Sequence, residues 1–397
     1  MGDTQRSQGP IGAAPPQVPD RAVSAAEIRR LAALKFELLA SGLKLTSAAS
    51  AALAGAKTPI RTRSGISGGL DIILPHEIHV NVPVQEGFAA KSSLTLDTSL
   101  SSLGIFRNGT LLSEAKIQPE PSYYHRRTAD GTEEMVRIGQ MCSGDRFCYG
   151  MTGPGCYFWG SKKRCRYCSI GFNYDADAAK KAKSQLIEVL DAAMADPSLP
   201  ARHILLGGGT PPGEDMGAVL ASELCREIKA RYDVSIYVMI AAPLKDAYID
   251  LLRESGADEL GMNLEFWSEE AWRSFIPGKY MEIGKSRYLK ALEHAVRVFG
   301  PINTRSIFIA GLEPAEETIA GALHVASMGV MPIISPFRPL ANTMLADRSG
   351  FTGDQYLEMW DAMDKAVANF GVPLGPTCIA CQNNTLALPF GSLYHHY

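Results

Sequence analysis

Six strand-then-helix patterns in succession, beginning at Arg146, leave few folds open to this 397-residue chain. Short apolar runs at 146–151, 203–207, 234–241, 259–264, 302–310 and 330–335 read as strands. Apolar residues recur at helical spacing over 176–194, 215–231, 244–254, 286–299, 315–327 and 353–369. A strand that returns through a helix lies parallel to the one before it, so six such units predict a parallel sheet. We expect an α/β fold curled into a partial (β/α)6 TIM-like barrel, with the loops at the strand C-termini forming the site.

What precedes the barrel has another character. Residues 1–24 are rich in Pro, Gly, Ala and Gln, and so apolar-poor a segment is expected to be disordered. From Ser24, an N-cap candidate, Ile28, Leu31, Leu34 and Leu38 mark an amphipathic helix, making 25–57 a helical segment. Residues 58–140 alternate short β-rich runs with turn signals. Asn108-Gly109, between Ile105-Phe106 and Leu111-Leu112, is a strong hairpin signal. We expect a β-rich subdomain there, a core barrel over 141–340, and a closing segment over 341–397 with one helix and two cysteines.

The first βα loop carries Cys156, Cys165 and Cys168 in a Cys-x8-Cys-x2-Cys arrangement. A structural zinc site closes with four protein ligands, so three thiols leave one coordination position open. Three thiolates also suit a four-iron cluster with one free iron. Zinc binding and redox chemistry are the competing readings of these cysteines.

The closing Cys165-Arg-Tyr-Cys168, placed after the first strand of a six-unit barrel, resembles the radical S-adenosylmethionine (SAM) superfamily. The usual family spacing is Cys-x3-Cys-x2-Cys, and the gap of eight is that of a minority of members. The resemblance covers residues 141–340. It implies a 4Fe-4S cluster on the three cysteines, SAM on the open iron, and Tyr167 near the adenine. Gly207, Gly208 and Gly209 match the segment that bonds the SAM amino group; a tight turn is the alternative. Asn263 and Glu265, two apart on a strand, share one side and match a ribose-binding pair of the biotin-synthase-like branch. They could equally be surface polar residues. The run from Ile307 to Gly311 matches the adenine-lining segment. Arg305 is either a partner for the SAM carboxylate or half of a rim ion pair. Arg338, between Pro336 and Pro339 on a stiff loop, suits an anionic group of the substrate, and is the catalytic-site candidate.

Four more cysteines form two pairs. Cys142 and Cys148 precede or open the first strand, and Cys378 and Cys381 lie in a late Cys-x2-Cys. Together they make one complete four-thiol site for an auxiliary iron–sulfur cluster or zinc. The rival readings are a redox pair at Cys378/Cys381 and inert buried thiols. Cys225, within a helix, reads as core.

Net charge is −3, which gives no basic field for nucleic acid. No apolar run approaches the roughly 20 residues of a membrane span, and the N-terminus lacks a signal-peptide pattern. Few, clustered cysteines in a chain of this length suit a reducing cytoplasm. The resemblance implies reductive cleavage of SAM to a 5′-deoxyadenosyl radical, with an electron donor such as flavodoxin or ferredoxin. Hydrogen abstraction from a small molecule would follow, in sulfur insertion, rearrangement or C–C bond change. A peptide- or protein-modifying enzyme with an auxiliary cluster is the second reading. A non-catalytic metal-binding barrel is the third.

Overall fold

The computed structural model describes residues 23–57, 60–63, 68–99, 102–160 and 162–397. The disorder expected of residues 1–24 falls almost wholly outside them.

A six-stranded sheet forms the N-terminal part, from β1 (Lys44–Leu45), β2 (Leu70–Leu74), β3 (Ile78–Val82), β4 (Leu94–Ser99), β5 (Ser102–Arg107) and β6 (Thr110–Ile117), in the order β1-β4-β5-β6-β2-β3. Asn108 and Gly109 take φ of 50° and 79° between β5 and β6. A two-residue turn with both angles positive matches the twist of the strands it joins. Helix α1 (Ala25–Ser41) begins at Ser24, whose side chain accepts from the Glu27 N–H at 3.2 Å. Two short helices follow, α2 (Ser47–Ala52) and α3 (Met135–Ile138).

The second sheet has seven strands: β7 (Gln140–Ser143), β8 (Arg146–Gly150), β9 (His203–Gly207), β10 (Ser235–Met239), β11 (Glu259–Gly261), β12 (Thr304–Ala310) and β13 (Met331–Pro336). They lie in reverse chain order, β13 to β7; β8 to β13 are parallel, and β7 adds antiparallel to β8. This is the expected partial barrel of six βα units. Strand β9 is buried at all five positions, as a parallel strand covered on both faces must be. The crossovers carry α4 (Lys183–Met194), α5 (Ala218–Lys229), α6 (Ala247–Glu254), α7 (Glu269–Phe275), α8 (Pro277–Glu282), α9 (Lys285–Phe299) and α10 (Ala315–Ser327); α11 (Gly353–Ala368) follows β13.

A sheet of this order leaves a gap between its first and last strands, and the C-terminal segment fills it. Gly375 and Leu386 donate backbone N–H groups to Pro332 and Ile334 of β13. Asn383 accepts at its carbonyl from Asn81 of β3 at 2.7 Å and at its amide oxygen from Ser143 of β7 at 3.3 Å. The segment closes the barrel along its side. Edge strands with unpaired backbone groups need such a partner. Among the described residues no helix is long and apolar enough to cross a membrane.

Candidate active site

The loop after β8 is fastened before it carries any chemistry. Met151 donates to the Gly207 carbonyl at 2.8 Å, continuing the β8–β9 pairing. The Thr152 hydroxyl donates to the Gly155 carbonyl at 2.8 Å and accepts from the Gly209 N–H at 3.0 Å. Further on, Arg166 N–H bonds the Phe275 carbonyl, and the Arg164 guanidinium stacks 4.1 Å from the Trp159 ring centre. Cys156, Cys165 and Cys168 are therefore presented at the C-terminal end of the barrel on a loop tied to β9, α7 and α8.

The three thiols face a single cavity of about 380 Å³, an ordinary size for a small-molecule site. The Thr210 N–H points at Cys156 Sγ and the Ile170 N–H at Cys168 Sγ, each at 3.4 Å. Such donors favour sulfur that carries negative charge. Burial pushes the Cys165 thiol up to about 11 and Cys168 up to about 12, so both are protonated at neutral pH without a metal. Metal loading must then release protons. Three convergent thiols with one coordination position left open suit an iron–sulfur cluster.

The glycine turn is placed beside them. A Cβ at Gly209 would lie 1.9 Å from the Gly155 carbonyl oxygen and 2.8 Å from Cys156 Cβ. Gly208 has φ of 121° and faces the cavity. Asn263, Glu265, Ile307 and Ile309 share that cavity. The Asn263 side chain accepts from Ile307 N–H at 3.3 Å. Glu265, at φ 68°, accepts from Lys279 Nζ at 2.9 Å, and the Tyr167 hydroxyl reaches the same carboxylate. Burial disfavours the Lys279 ammonium, and the charge of Glu265 with its neighbours outweighs that and holds it well above its ordinary range. Lys279 was not foreseen; nothing in its spacing marks it, since its partner lies on another element.

Gly311 lies away from the cavity. Its φ of 109° and a Cβ position 2.9 Å from the Tyr356 hydroxyl explain the glycine by packing against α11. Arg305, the candidate for the SAM carboxylate, stands near the start of β12 and lines the same cavity. Its guanidinium pairs with Glu259 and stacks 4.6 Å from the Tyr237 ring centre. That is the ion-pair alternative, and burial of both partners explains it. Arg338 also lines the cavity, donating to the Asn81 side chain at 2.9 Å and its carbonyl at 2.6 Å. Burial lowers it to about 10, so it stays charged, and among the described residues no carboxylate pairs with it directly.

Among the described residues Cys142 and Cys148 do not join Cys378 and Cys381 in a single-ion donor group, although Cys142, Cys148 and Cys381 line one cavity. Cys142 and Cys148, on neighbouring strands, hydrogen-bond each other beside Leu205 and Tyr237. Cys378 and Cys381 form a separate buried group, and the donor that joins them is His203. The β7–β8 register, with an irregularity between Met141 and Ser143, directs Cys142 toward Cys148.

A parallel half-barrel carries three thiols on the loop after its first parallel strand. Residues 158–322 match the family model described as "Radical SAM superfamily". It is 26% identical over 128 residues to "Bacteriochlorophyllide c C-7(1)-hydroxylase" of Chlorobaculum limnaeum, covering 29% of this chain and 32% of that one. The chain thus matches about a third of the length of that relative. Among solved structures, "methylornithine synthase (PylB)" shares 16% identity at a TM-score of 0.41, covering 57% of this chain and 69% of that one. "FeFe-hydrogenase maturase HydG" from Carboxydothermus hydrogenoformans shares 18% at 0.42, covering 56% and 51%. The cofactors that the class implies are a 4Fe-4S cluster and SAM.

Proposed function

We propose that this chain cleaves SAM reductively and removes a hydrogen atom from a small anionic substrate in a biosynthetic step. One observation carries the reading: three thiols, a glycine turn and Arg338, which among the described residues has no direct carboxylate partner, line one cavity. Cys156, Cys165 and Cys168 would hold a 4Fe-4S cluster, which when reduced would supply the one electron that SAM cleavage needs.

The chain's own residues bind, orient and exclude. Cys156, Cys165 and Cys168 are the cluster ligands. The Gly207–Gly209 backbone lets the amino-acid end of SAM approach, because no side chain fills that space. Asn263 and Glu265 are placed for the ribose, and Tyr167 with Ile307 and Ile309 for the adenine. Arg338, fixed by Asn81, offers its charge to a substrate carboxylate or phosphate across the cavity. The N-terminal sheet and the C-terminal segment keep water from the reacting atoms. Sulfur insertion, rearrangement and C–C bond change all fit this arrangement. An electron donor of flavodoxin or ferredoxin type is required. All eight cysteines are free thiols, in keeping with the reducing cytoplasm in which we place the protein.

The test is anaerobic reconstitution with iron and sulfide, reduction with dithionite, and detection of 5′-deoxyadenosine by mass spectrometry. Wild-type protein should produce it, and a Cys156→Ala, Cys165→Ala, Cys168→Ala variant should not. Equal yields from the two, or a wild type that takes up no iron, would overturn the proposal.

A further inference from the structure

At the end of the barrel opposite the cluster loop, three donors from distant parts of the chain converge. His203 opens β9, while Cys378 and Cys381 belong to the segment that fills the barrel gap. His203 Nε2 stands 3.7 Å from Cys378 Sγ and 3.6 Å from Cys381 Sγ. All three donor atoms lie within 4.8 Å of one another, and their residues are 4%, 1% and 2% exposed. A fourth atom, Asp145 Oδ1, lies 3.3 Å from the same ring nitrogen. It is buried and makes no well-aligned hydrogen bond.

Hydrogen bonding does not account for this arrangement. One imidazole nitrogen carries either one proton or one lone pair, yet two sulfurs and an oxygen face it. The His–Asp separation also exceeds the usual N–H···O range of about 2.7–3.2 Å. The distances are instead those of a tetrahedron's edges. With Zn–N near 2.0–2.1 Å and Zn–S near 2.3 Å, nitrogen and sulfur lie about 3.5–3.6 Å apart, and nitrogen and oxygen about 3.3 Å apart.

We propose that His203 Nε2, Cys378 Sγ and Cys381 Sγ hold a structural zinc ion, with the Asp145 carboxylate, which faces His203 but stands outside the 4.8 Å spread of these three donors, turning in to the fourth position. Two thiols and an imidazole are soft-to-borderline donors, which select zinc over magnesium or calcium. The Cys381 N–H already points at Cys378 Sγ at 3.2 Å, the kind of bond that steadies a metal-bound thiolate. Charge balances as well. A divalent ion with two thiolates, one carboxylate and a neutral imidazole carries one net negative charge, and Arg146 stands within electrostatic reach of both sulfurs. Tyr397 stacks on the His203 ring at 4.0 Å between centres and 13° between planes, fixing its orientation. The ion would fasten the gap-filling segment to the base of β8 and β9. This role is independent of SAM cleavage.

Metal analysis of the cluster-loaded full-length protein, with X-ray absorption at the zinc edge, tests the site. Wild type should hold one zinc per chain besides its iron, bound by two sulfurs and two lighter atoms. Cys378→Ala with Cys381→Ala should lose the zinc and keep the iron. His203→Cys guards against misfolding of that pair: it should keep zinc, now with three sulfurs. Asp145→Asn should weaken zinc binding by about tenfold. Absence of zinc after equilibration with the metal, extra iron and sulfide in its place, or a four-sulfur zinc shell would each overturn the assignment.

Discussion

Lys35 of α1 donates from its ammonium group to the Gln382 carbonyl at 2.8 Å, joining residues 347 positions apart. A second bond reaches the Ala387 carbonyl at 2.7 Å. The residue is fully buried, and burial lowers the ammonium to about 7 from an ordinary value of 10.5. An N-terminal helix thus holds the segment that closes the barrel.

Lys35→Met should destabilise the fold by about 2–4 kcal/mol, because two buried carbonyls lose their donor. The pH dependence has a definite sign. Between pH 7 and 10.5 the folded chain binds fewer protons at Lys35 than the unfolded chain does, so this residue's contribution to stability rises with pH. Denaturant unfolding from pH 7 to 9.5 should show the gap between wild type and variant widening. A constant gap would count against a buried ammonium.

Gly209→Ala should damage cluster loading more than it damages the fold. The new methyl meets the Gly155 carbonyl and the Cβ of Cys156, so the first cluster ligand must shift. Overpacking of this kind costs about 1–3 kcal/mol. Iron and sulfide per chain should drop, with only a modest fall in Tm. Gly87→Ala, where a Cβ meets nothing within 4 Å, is the control and should load normally.

Asn263→Ala probes the nucleoside end of the cavity. Loss of one polar contact of about 1.4 kcal/mol is tenfold in affinity. Equilibrium dialysis should therefore show SAM binding about tenfold weaker, with the iron content unchanged. Unchanged affinity would remove Asn263 from the SAM site.

The barrel was legible because its strands are buried on both faces and its helices on one, and these two patterns differ in period. The cysteine loop was legible because its ligands are close in sequence. Boundaries were less so. The helix expected from residue 176 starts at Lys183, since Asp177 turns inward to pair with Lys181, whose Nζ also reaches the Gly150 carbonyl at 3.2 Å. What stayed hidden depends on partners far along the chain. Arg305 could be given to SAM or to a carboxylate, and only the β11–β12 pairing brings Glu259 beside it. His203 looked like an ordinary strand residue because Cys378 lies 175 positions away. Lys279 needed the α8 turn to reach Glu265, 14 positions back.

The filled gap sets an order of events. The bonds from the closing segment to β7 and to Asp71 of β2 span 240 and 312 positions, whereas neighbouring barrel strands are joined through single crossovers. Loop closure grows costlier with length, and long-range contacts are slow to form. An open half-barrel, with its thiols reachable from the side, is therefore expected to precede the sealed enzyme during folding. That interval is when a preassembled cluster could be delivered without opening the finished protein.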